Sequence, residues 1–173
     1  MTKKLLLAIA LILPLGLFAQ DNKDLKFGHV NRAEIFQSMP ETLAATKKLE
    51  DLQANYKKEI DKIQEEYQKK GSEFIATKDS LPEAIRTRRM TEIQDLQQRL
   101  NSFYEESKND MQRQEQELIV PINLKLQNAI KAVGEENGYV YIFDISANGG
   151  LVYWSTSKSE DVTAKVRTKL NLK

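Results

Sequence analysis

Asp79-Ser80-Leu81-Pro82-Glu83-Ala84-Ile85 is the stretch on which the fold turns. A serine, a proline two positions on and a glutamate after it spell a helix start. The serine can cap the first turn, and the proline costs little where the amide has no helical partner. The same signal stands earlier as Ser38-Met39-Pro40-Glu41. Each predicts a helix of about 40 residues, roughly 60 Å at 1.5 Å per residue.

Working outward, Leu49, Leu52, Tyr56, Ile60, Ile63 and Tyr67 advance by three or four and form one stripe. After the second start signal the stripe is Ile85, Arg89 or Met90, Ile93, Leu96, Leu100, Phe103 or Tyr104, Ser107, Met111 and Leu118. The remaining faces are Lys, Glu, Asp and Gln. One apolar stripe on a polar rod needs a partner, and two equal rods joined by a short link make an antiparallel hairpin. Gly71 is expected to loosen the end of the first arm. Pro121 is expected to kink the second, which resumes and stops at Asn137-Gly138.

The ends of the chain read differently. Residues 25–31 predict a short strand, followed by a helical turn through Ile35 and Phe36. Tyr139 to Ile145 and Leu151 to Trp154 are β-branched and aromatic, which predicts two strands of a hairpin around a turn at 146–150. A last helix is expected over Thr163 to Leu170. The fold class is α+β, mostly α: a hairpin over 41–120 inserted in a small β body made of 20–40 and 121–173. A body of about 80 residues is marginal alone, and an open three-stranded sheet leaves two edges unpaired. Both features predict an oligomer, with Val30, Tyr141, Phe143, Val152 and Trp154 as its body residues.

Residues 1–19 have the layout of a signal peptide: Lys3 and Lys4, an apolar run from Leu5 to Phe18, then Ala19 before polar Gln20-Asp21-Asn22. Cleavage is expected near Ala19. The chain has 26 basic and 25 acidic residues; removing Lys3 and Lys4 leaves 24 against 25, a net charge of −1. A near-neutral exported chain is not expected to bind nucleic acid. With no cysteine and one histidine, no metal site, catalytic residue or cofactor is expected.

The order of short motifs resembles the Skp/OmpH family of periplasmic chaperones. The resemblance rests on Gly28-His29-Val30-Asn31, Ile35-Phe36, Ser38-Met39-Pro40-Glu41, Pro121-Ile122, Ala129-Ile130, Asn137-Gly138-Tyr139, Leu151-Val152-Tyr153 and Asp161-Val162-Thr163. It implies a homotrimer with a shared strand barrel. Its three tentacles would enclose unfolded outer-membrane proteins in the periplasm without ATP. The family's best-known members are markedly basic, whereas this chain is not.

Two groups of hairpin residues are candidates for function. Tyr56, Tyr67, Phe74, Ile75, Met90, Phe103, Tyr104 and Met111 could meet a client along the inward face, and of these Phe74, Ile75, Met90, Tyr67 and Phe103 are the leading candidates for client contact; the plainer reading is that stripe residues pack arm on arm. Lys69, Lys70, Lys78, Arg86, Arg88 and Arg89 face only Glu73, Asp79 and Glu83 within residues 69–89, giving a basic tip of net charge +3. Contact with an anionic client segment, lipopolysaccharide or anionic lipid of a membrane surface is one reading of the tip, and a solvated helix end is the other. The rival to a holdase is a structural or adaptor coiled coil of the envelope, which would keep one fixed partner.

Overall fold

The computed structural model describes residues 25–147 and 150–172. The expected signal peptide, and Asn148 and Gly149 of the expected turn, lie outside these residues. Strand β1 (Phe27–Val30) leads into helix α1 (Arg32–Ser38), then α2 (Pro40–Thr77). A single 3-10 turn over Lys78–Ser80 precedes α3 (Glu83–Asn137), β2 (Tyr141–Asp144), β3 (Ser159–Asp161) and α4 (Thr163–Lys169).

The helical hairpin forms as the stripes require. Ile63 and Leu96 are 3% and 8% exposed, and Tyr56 meets Phe103 edge to face at 6.0 Å. Gly71 lies within an unbroken α2, and α3 continues through Pro121. The carbonyl that loses its donor to Pro121 belongs to exposed Glu117, where water can serve it. Gly138 ends α3 at φ +69°, a backbone that a glycine adopts without a Cβ clash.

Neither start signal works as a capping box. Ser38 is the last residue of α1, and its hydroxyl donates to the Ile35 carbonyl at 2.8 Å. Met39, fully buried, occupies the cap position of α2, with Pro40 in the first turn. Ser80 likewise donates back to the Thr77 carbonyl at 2.8 Å, and Pro82 caps α3. The prolines mark the starts, while the serines close the preceding turns.

The sheet corrects the expected β-hairpin. Its order is β2-β1-β3, and both outer strands run parallel to β1. Leu151 to Trp154 is not a strand; the third strand is the polar Ser159-Glu160-Asp161. The long helical excursion returns the chain to the same end of the sheet, which is what parallel pairing requires. Gly28 faces Ile142 in register, and a Cβ there would lie 3.2 Å from Val162 Cγ1. The core forms where the base of the hairpin meets the sheet and α4. Val30, Ile35, Met39, Leu126, Val133, Val162 and Val166 pack together there.

Candidate functional site

Side chains alternate across β1. Gly28 and Val30 face the core, so Phe27 and His29 point to the other face of the sheet. In register, that outer face also carries Tyr141 and Phe143 from β2 and Ser159 and Asp161 from β3. Phe27 stacks on Tyr141 at 6.3 Å and on Phe143 at 6.4 Å, and Tyr141 stacks on Phe143 at 5.8 Å. Beside this aromatic tier the segment 151–158 folds over β1. Trp154 tilts onto His29 at 5.9 Å, and His29 Nδ1 lies 2.9 Å from Ser159 Oγ. A cleft of about 280 Å³ remains between Phe27, Phe143, Leu151 and Trp154.

The structure separates the expected body residues. Tyr141 lies open on the outer face with Phe143 partly exposed beside it, and Val152 is 98% exposed. Trp154 is half-buried against His29. Val30 instead belongs to the chain's own core. Phe27, not anticipated for this face, completes it; the period-two alternation of Phe27-Gly28-His29-Val30 is the signal that finds it.

Polar contacts pin the opposite face and the rim. Glu160 accepts from Lys165 and lies 3.4 Å from Lys26. Lys165 also donates to Tyr139 Oη at 2.9 Å, and the Lys26 ammonium sits 4.2 Å above the Tyr139 ring. The Lys165 bond, then Tyr139 and Lys26, hold the Glu160 carboxyl at about 2, and Glu160 in turn raises Lys165. Asp161 is lowered by its bonds from Thr163, whose backbone amide it caps at 2.9 Å.

On the hairpin, Tyr67 and Phe74 are half-buried in the seam and Phe103 packs on Tyr56. Ile75 and Met90 are 70% and 47% exposed, joined near the tip by exposed Ile85. The candidate client residues therefore divide: three serve mainly the arm-to-arm seam and two face solvent. The basic residues divide too. Lys70 pairs with Glu66 and Glu92, Arg86 with Glu83, and Arg88 with Glu92 at 3.2 Å. Arg89 donates to Thr77 Oγ1 at 3.3 Å, while Lys69 and Lys78 are exposed. The crevice near the tip, about 220 Å³, is lined by Lys70 and Arg89 but equally by Glu73 and Glu92. Among the described residues no cluster could hold a metal ion, and no helix is long and apolar enough to cross a membrane.

A family model described as outer membrane protein (OmpH-like) matches residues 26–170, taking in the sheet, both arms and α4. The chain belongs to the OmpH-like family. Two curated relatives carry the name Chaperone protein Skp. That of Photorhabdus luminescens is 28% identical over 164 residues, spanning 95% of this chain and 96% of the relative. That of Photorhabdus laumondii is 30% identical over 149 residues, spanning 84% and 88%. The match covers hairpin and body together, so the OmpH-like assignment applies to the whole architecture described above.

Proposed function

We propose that this chain is an exported holdase chaperone of the periplasm that shields unfolded outer-membrane β-barrel proteins without ATP. Three copies would join through the outer sheet face, and their hairpins would enclose the client. The observation that carries this reading is the unpartnered aromatic tier of Phe27, Tyr141 and Phe143 at the root of a long polar hairpin. A body with such a face gains by burying it against copies of itself, because exposed apolar patches of this kind favour association. The OmpH-like family and the chaperone name of the relatives support the same reading. The division into a body of 20–40 and 121–173 and a hairpin of 41–120 belongs to this proposal.

Weak, scattered contacts suit a chaperone that must release its cargo without fuel. Ile75 and Met90 fit that role by their exposure. The tip fits a solvated helix end better than a lipid anchor, since Lys70, Arg86 and Arg88 already have acidic partners. The test pairs light scattering of the exported protein with dilution of a urea-unfolded β-barrel protein in the absence of ATP. A trimeric mass with suppressed aggregation is expected. A monomer that leaves aggregation unchanged would overturn the proposal.

A further inference from the structure

The two arms are laced on one flank. Tyr56 donates to Asp110, and Lys70 Nζ lies 3.5 Å from Glu92. Glu92 and Asp110 stand five full helical turns apart, so they share one line along α3. The other flank of α3 carries Tyr104, Lys108, Met111 and Glu115, spaced four, three and four. Facing it, α2 presents Gln53, Lys57, Ile60 and Gln64 at the same spacing. Between these rows lie two adjoining clefts of about 530 and 400 Å³, which share Ile60 and Tyr104.

The sequence explains why the seam gapes here. Ser107 takes a buried stripe position that larger residues fill elsewhere, and its hydroxyl turns back to the Tyr104 carbonyl at 2.9 Å. A small side chain leaves the floor low. Tyr104 stands beside it, 57% exposed.

We infer that this cleft is a client-binding groove for one extended, uncharged strand of an unfolded β-barrel protein. Alternate aromatic or aliphatic side chains of that strand would settle on Ile60, Leu100, Tyr104 and Met111. The inference rests on the holdase reading and deepens it by giving the client a place on each hairpin. Three observations select this occupant. From Leu100 to Glu115 the groove is roughly 22 Å long, which takes six or seven residues at about 3.3 Å each. That is most of a membrane-spanning β-strand, whose side chains alternate apolar and polar. The walls are nearly balanced in charge: Lys57 pairs with Asp61 at 2.7 Å, and the linings also hold Lys108, Glu105 and Glu115. Gln53, Gln64, Asn101 and Gln112 add amide donors and acceptors that an extended backbone can use.

The test uses the whole exported protein and a urea-unfolded β-barrel client. A photoreactive p-benzoylphenylalanine replaces Tyr104, or Glu106 on the laced side as a control. Crosslinking to client should be about tenfold stronger from position 104 than from 106. Equal yields from the two positions, or crosslinks from 104 to a second copy of this chain, would overturn the groove. In parallel, Tyr104→Lys combined with Met111→Lys should weaken client binding about tenfold with helicity by circular dichroism unchanged, as expected when apolar contacts are lost. Wild-type affinity in that variant overturns the groove while leaving the holdase reading intact. Absence of client binding by the unaltered protein overturns both. If the double variant loses helicity, the crosslinking arm decides alone.

Discussion

Removing one buried leucine at the root and one buried isoleucine from the arms should have different consequences. Leu126, on α3, is fully buried in a cluster with Val30 of β1, Ile35 of α1 and Val166 of α4. Leu126→Ala removes three carbon groups at about 0.8 kcal/mol each, roughly 2.4 kcal/mol in transfer energy. Walls held by three other elements cannot close, so a hole of about 60 Å³ at ~24 cal/mol per Å³ adds roughly 1.4 kcal/mol. The expected loss is about 4 kcal/mol. Ile63 is nearly as buried but has only the facing helix over it. Two arms can draw together, so Ile63→Ala should cost about 2 kcal/mol, the transfer part with little cavity. Urea unfolding measures the first loss in the body. Amide hydrogen exchange measures the second, which should appear as roughly 30-fold faster exchange in the turns of α2 and α3 around Ile63, with β1 and β2 unaffected. Equal acceleration of the sheet amides by Ile63→Ala would refute the reasoning, because arms and root would then open as one unit.

Two further outcomes concern the root. The Glu160 carboxyl is held at about 2 against an ordinary 4.5, so its ionised form favours the folded state. That contribution is complete above pH 4.5 and fades as pH falls towards 2; in Glu160→Gln the melting temperature should depend less on pH across that window. Gly138→Ala places a Cβ on a backbone at φ +69° and should lower stability by about 1 kcal/mol in a denaturant titration, with the α3 helix otherwise unchanged.

The long helices were legible because a stripe at helical spacing repeats over many turns, so single misreadings do not alter it. Leu49 to Tyr67 and Ile93 to Met111 say both where each helix runs and which side it buries. The sheet was less legible. Ser159-Glu160-Asp161 is too short and too polar to show alternation, yet it pairs along β1 through its backbone. Leu151-Val152-Tyr153-Trp154 has strand composition, but Tyr153 and Val152 face solvent and Trp154 packs on His29. A turn between two apolar runs suggests antiparallel neighbours. Here β1 lies between the later strands, a placement fixed by the return of α3 to the root. Of the candidate contact residues, exposure near the tip favours Ile75 and Met90, whereas Phe103 is taken up by Tyr56. Spacing could not reveal the cleft beside Tyr104, because it depends on which flank is laced and on the small size of Ser107.

The antiparallel arms leave and re-enter the root at one end, where Lys125 of α3 pairs with Glu41 of α2. An insertion of seven residues in α2, matched by seven in α3, would carry the turn at Lys78–Ser80 outward by about 10 Å. The pairing of Phe27 with Tyr141 and with Ser159 would not change. Reach is thus an independent variable in this architecture, adjustable in heptads without redesigning the junction that holds the chain together.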